Sequence, residues 1–178
     1  MRYAFLYSGT VRLFFILLCF ALFPGCGSYR FVPEHNTLPE GVKSISIPFF
    51  KNDTYEANIE SYFSDALINE FVKNKQITVA SHGADATLYG IVKEFSMASI
   101  AYSREDRARQ YRAYVVLELT LTKNESGEII WRRPRLVHDE EYAVEETIAL
   151  TDANKKSAIQ KIAVELAEQI YEDLALGF

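Results

Sequence analysis

Residues 13–23 form an uninterrupted apolar run, preceded by Arg2 and Arg12 and closed by Phe23-Pro24-Gly25-Cys26-Gly27-Ser28. Positive charge, then an apolar core of this length, then small residues is the pattern of an export signal. The run is too short to cross a bilayer, which takes about 20 apolar residues, and a spanning helix has no use for Pro24. What folds is therefore the rest of the chain, outside the cytoplasm.

Gly25 directly before Cys26 resembles the lipobox, in which a small residue precedes a cysteine that is diacylated on sulfur and acylated on nitrogen. Phe23 stands where that motif more often has Leu. On this reading residues 1–25 are removed, Cys26 carries the lipid anchor, residues 26–41 are a short tether and residues 42–178 form one domain. Two or three acyl chains anchor stably where one binds only marginally. Gly27, not Asp, follows the cysteine. The expected destination is thus the periplasmic face of the outer membrane of a Gram-negative cell. The alternative is an ordinary secretory signal with an incidental cysteine.

Cleavage leaves 153 residues with 17 basic and 24 acidic side chains, a net charge of −7. That length supports one domain with a real core, and that charge argues against a nucleic-acid partner. Both cysteines, Cys19 and Cys26, fall in the signal region, so the mature domain has no disulfide and its stability must come from packing.

Along the chain, residues 42–50 predict a strand with Ile45, Ile47 and Phe49 on one face and an edge or end at Pro48. Asn52-Asp53-Thr54 offers cap chemistry, and Asp53 with Glu56 has capping-box spacing. The helix that follows places Ile59, Tyr62, Phe63, Ala66, Leu67 and Phe71 inward and Glu60, Ser61, Ser64, Asp65, Asn69 and Lys73 outward. Residues 76–80 predict a short strand, and residues 87–102 a long one in which Gly90 marks a bulge. The clearest strand follows a charged connection at 103–110. In it Tyr111, Ala113, Val115, Leu117, Leu119 and Leu121 alternate with Arg112, Tyr114, Val116, Glu118, Thr120 and Thr122.

A turn at Asn124-Glu125-Ser126-Gly127 returns the chain through 129–132, and Pro134 interrupts that strand. Residues 135–150 then read as an acidic, partly ordered connection. Thr151 or Asp152 caps a final helix of about 24 residues by its pattern. The fold class expected is α+β, with two helices packed on one face of a mainly antiparallel or mixed sheet of four to five strands.

With these residues in hand, the mature chain resembles the lipopolysaccharide-assembly lipoprotein family (LptE). The resemblance is carried by the start from Cys26 to Phe31, by Leu38-Pro39-Glu40-Gly41-Val42-Lys43-Ser44-Ile45 and by Ile47-Pro48-Phe49-Phe50-Lys51-Asn52. Ala84-Asp85-Ala86-Thr87-Leu88-Tyr89-Gly90 and Gly127-Glu128-Ile129-Ile130-Trp131 continue it. It implies a non-enzymatic partner of the large LptD-like outer-membrane β-barrel, a plug that assists barrel assembly and binds lipopolysaccharide. A barrel lumen is polar, which suits a domain with a broad polar outer surface.

Lipopolysaccharide is polyanionic, and Arg meets phosphate oxygens in pairs. Two clusters qualify: Arg104, Arg107, Arg109 and Arg112, and Arg132, Arg133 and Arg135. If the strands pair through the 124–127 turn, Arg112 is expected near Arg135. The same arginines read as a solvated rim balanced by Glu105 and Asp106.

An enzyme is disfavoured. His35, His82 and His138 lack metal-ligand spacing, no mature cysteine is available as a nucleophile, and the acids at 139–146 have the look of a solvated connection. No metal and no cofactor beyond the lipid on Cys26 is expected. A second reading is an outer-membrane lipoprotein that activates an inner-membrane cell-wall synthase, because the 46–52 and 84–90 segments are also similar to that class. Such an activator needs a long linker. Here Cys26 is separated from the first strand by roughly 15 residues, at most about 50 Å.

Overall fold

The structure is a computed structural model, and it describes Leu38 and residues 41–102 and 108–176. The chain divides into two units, Met1–Pro33 and Glu34–Phe178. Everything below concerns the second. Cys26, Arg104 and Arg107 lie outside the described residues.

The element order is β1 (Ser44–Ser46), β2 (Lys51–Asn52), α1 (Ile59–Asn74), β3 (Thr78–Val79), β4 (Ala86–Tyr102), β5 (Ala108–Lys123), β6 (Ile129–Ala143) and α2 (Ile148–Leu176). The strands form one sheet in the order β3-β1-β4-β5-β6, with β2 also on β4. β1 and β2 run parallel to β4, whereas β4, β5 and β6 form an antiparallel meander. Both helices pack on one face and on each other. The α+β architecture is as the pattern predicts. Of the expected strand at 42–50 only Ser44–Ser46 is strand; the chain breaks around Pro48 and pairs again at Lys51–Asn52.

Alternation in β5 builds the core. Ala113, Val115, Leu117, Leu119 and Leu121 are buried and meet Ile162, Leu166 and Ile170 of α2 in one cluster with Phe63, Leu67 and Phe71 of α1. Phe71 and Tyr171 meet edge to face at 5.1 Å, and the Tyr171 hydroxyl donates to Gln76 Oε1 at 2.8 Å.

Several local expectations are corrected. Phe49 is 73 % exposed and Phe50, its neighbour, is buried, because the break after β1 reverses the alternation. Ser64 is buried rather than outward: its hydroxyl accepts the Phe50 N–H at 2.9 Å and donates back to Glu60 O of its own helix at 2.7 Å, so it satisfies a backbone N–H in the segment between β1 and β2. No Asp53–Glu56 capping box forms. Asn58 caps α1 in a left-handed conformation without a side-chain bond, and Asp53 instead pairs with Lys51 and Lys93, each at 2.8 Å.

Gly90 marks a close approach, not a bulge. A methyl group there would lie 2.3 Å from the Phe50 ring, and the register shift falls between Val92 and Glu94. Pro134 does not end its strand. β6 continues to Ala143, accommodating the proline at a register shift opposite Leu117 to Leu119. Proline is tolerated there because β6 is an edge strand. The acidic stretch is therefore largely strand, and α2 is longer than expected, 29 residues, beginning at Ile148 with the Leu150 N–H donating to Thr147 Oγ1 at 3.3 Å.

Gly127 has φ 72°, the positive value the turn requires. Beside it, Asn124 Nδ2 donates to Ala84 O at 2.7 Å and its Oδ1 accepts the Thr87 hydroxyl at 2.8 Å. Asp85 Oδ2 accepts the N–H groups of Lys43 and Ser44 and the Ser44 hydroxyl at 2.9–3.0 Å. These bonds, the Ser44 hydroxyl first, hold the Asp85 carboxyl below its ordinary range.

Candidate functional site

One face of the β4-β5-β6 meander carries no helix. Its membership follows from register. The buried β5 residues face the helices, so Arg112, Tyr114, Glu118, Thr120 and Thr122 face away. On β6, Glu141, Asp139 and Arg132 lie opposite Arg112, Tyr114 and Thr120, and Val137 lies opposite Val116. His138, Glu140 and Arg133 point to the helix side, where they meet Glu165, Lys161 and Asp173 of α2 at 2.5, 2.6 and 3.1 Å.

The two arginine clusters do not converge. Arg112 lies opposite Glu141, and Arg132 opposite Thr120. Those positions are eight residues apart along β5, about 26 Å of strand. Arg112 hydrogen-bonds Glu141, and its Nε lies 3.3 Å from Asp139 Oδ2 as an ion pair without hydrogen-bond alignment. The Glu141 carboxylate, and after it the Tyr114 hydroxyl, hold the Arg112 guanidinium above its ordinary value.

The expected Arg112–Arg135 proximity fails because β6 continues past Pro134. That continuation brings acids, not Arg135, beside the start of β5. Arg132 donates to Glu118 Oε1 at 2.6 Å. Arg133 belongs to the other face: it pairs with Asp173 and lies 5.9 Å from the centre of the Trp131 ring. Arg109 and Arg135 are exposed and carry no ion pair among the described residues.

The helix-free face is thus a polar mosaic in which arginines are cross-linked to carboxylates on the neighbouring strand. Such exposed pairs are screened by solvent and individually weak. Sequence reading missed the carboxylate partners on β6, although Asp139 and Glu141 alternate with His138 and Glu140 as strand residues do. Among the described residues no group of His, Cys, Asp and Glu could hold a metal, and no helix is long and apolar enough to cross a membrane.

Several solved structures share this fold. A Caulobacter crescentus protein matches with a TM-score of 0.54 at 16% identity, over 71% of this chain and 87% of that one. Rare lipoprotein B from Shewanella oneidensis matches with 0.53 at 9%, over 73% and 92%. A Xanthomonas campestris protein matches with 0.53 at 13%, over 75% and 86%. No curated protein sequence matches the chain. The model of the lipopolysaccharide-assembly family LptE matches residues 42–174, which span every described helix and strand but the last two residues of α2. The chain belongs to the LptE lipopolysaccharide-assembly family.

Proposed function

We propose that this protein is an outer-membrane lipoprotein, anchored through Cys26, that partners and plugs the lipopolysaccharide-inserting β-barrel, aids its assembly and binds lipopolysaccharide on the way to the outer leaflet. The observation that carries this reading is the family match over residues 42–174. The helix-free face supports it physically. A plug must meet a polar lumen, and this face offers charged and hydroxyl side chains along two long strands.

In this reading the phosphate contacts are Arg135 and Arg132 on β6, with Arg112 and Arg109 near the start of β5. Arg135 leads because it has no carboxylate to surrender among the described residues. Arg133 is a fold residue instead, since it ties β6 to α2.

The partner is tested by pulling the tagged full-length protein from membranes in mild detergent. A stoichiometric large β-barrel is expected. A cell-wall synthase, or no companion, would overturn the assignment. Arg132→Glu with Arg135→Glu is expected to weaken lipopolysaccharide binding several-fold without unfolding the domain, and unaltered binding would remove these residues from the site.

A further inference from the structure

β6 is the last strand of its sheet, and among the described residues no strand pairs along its outer edge. The Val144 N–H donates to Arg109 O at 2.9 Å, and the register runs unshifted from Gln110 opposite Ala143 to Leu117 opposite Leu136. In an antiparallel ladder, residues that exchange both backbone bonds with the neighbour alternate with residues that exchange none. Tyr142, Glu140 and His138 therefore direct their backbone groups to β5. Val137, Asp139 and Glu141 turn N–H and C=O to the free edge.

The side chains along this edge are ordered by charge. Arg135 is exposed and carries no ion pair among the described residues. Asp139 and Glu141 share one cation, Arg112, so that end keeps an excess negative charge. Val137 stands between the two ends and is 42 % exposed. Arg135 and Asp139 flank it symmetrically, about 13 Å apart along one strand and so out of reach of each other.

A second β6 running antiparallel brings these groups together. A two-fold axis at Val137 sets the two Val137 side chains against each other, Arg135 against Asp139 of the second copy, and Asp139 against its Arg135. Sliding the register two residues either way sets Val137 against a charge instead. Pro134 falls opposite Glu140, whose backbone groups already face β5, so the missing proline N–H removes no bond. Charges usually blunt an edge by repelling what would add to it. Here their order reverses about Val137, and the edge attracts its own copy. Both chains are net acidic, but salt screens that repulsion beyond about 8 Å, whereas the edge charges meet at contact.

We propose that β6 pairs edge to edge with β6 of a second copy, antiparallel about Val137, joining two sheets into one. Arg135 cannot hold a phosphate and the second copy's Asp139 at once, so this pair is a state of the lipoprotein outside the barrel. The proposal rests on the edge alone and not on the barrel being the partner.

The test follows the full-length lipoprotein, solubilised in mild detergent, by sedimentation velocity over a concentration series. A reversible dimer is expected. Arg135→Asp and Asp139→Arg, each alone, set like charges opposite each other and should raise the dimer Kd about tenfold. Mixing the two variants restores opposite charges in both rows, so a mixed dimer of near wild-type strength is expected, which unfolded variants could not give. Glu125→Arg with Glu128→Arg, at the turn, should leave the dimer unchanged. Wild-type protein that stays monomeric throughout the series would overturn the proposal. So would a dimer indifferent to both single changes, variants that fail to rescue each other, or equal weakening by the turn substitutions. Co-purification of the barrel reads the proposed function separately, so failure here and failure there are distinguishable.

Discussion

The two halves of the long β4-β5 hairpin carry similar alternating patterns and end in opposite conditions. Toward the 124–127 turn, Ala86, Leu88, Val92, Leu117, Leu119 and Leu121 are sealed beneath α1 and α2, and Asp85 and Asn124 tie loops to the sheet end. At the other end Met97, Ile100 and Tyr102 are exposed on the same β4. Alternation decides which side of a sheet a residue takes. Whether anything covers that side is decided by where the helices stop. The covered half is the main source of stability, while the far half leaves the end of β4 exposed.

The largest expected effect lies in the covered half. Leu117→Ala should cost about 2–5 kcal/mol in urea unfolding, the range for a fully buried leucine, while Met97→Ala should cost under about 1 kcal/mol. Similar losses at both positions would erase the distinction between the halves.

Gly90→Ala comes next, at about 1–3 kcal/mol, because the added methyl meets the buried Phe50 ring. Pairing it with Phe50→Leu should recover part of that loss relative to the sum of the two single changes. Strict additivity in the double-mutant cycle would show that the ring is not the obstacle.

The smallest effects are pH-dependent and divide by end. The Asp85 carboxyl is lowered from 3.8 by its hydrogen bonds. Its stabilisation is therefore complete above the unfolded value and lost as pH falls through the folded one. Asp85→Asn should lower stability at neutral pH and flatten the acid limb. Tyr142 at the bare end is raised above 10.0 by burial. Its contribution is present below that value and lost as pH rises beyond it, and Tyr142→Phe should flatten the alkaline limb. Unchanged limbs in unfolding curves at about pH 3 and about pH 11 would contradict these assignments.

Much of this molecule is legible in its residues. The apolar inward face of α1, the β5 alternation and the Gly127 turn follow from periodicity and turn chemistry alone. What was not legible depended on tertiary choices. Pro134 looked like a stop because an edge position cannot be read from one strand. Ser64 looked like a surface residue because its partner, the Phe50 N–H, lies 14 residues away. The arginines were identifiable as a group, but their faces were not: alternation puts the adjacent Arg132 and Arg133 on opposite faces, and which of them meets the helices depends on the β6 register. Asp139 and Glu141 looked like a connection for the same reason: their neighbour, Arg112, stands on another strand.

The most direct test of the central claim is depletion of this protein in its native host, followed by measurement of lipopolysaccharide reachable at the cell surface and of the folded barrel in the outer membrane. The account predicts that both fall and that the wild-type chain restores them. Full depletion with surface lipopolysaccharide and folded barrel unchanged would contradict it.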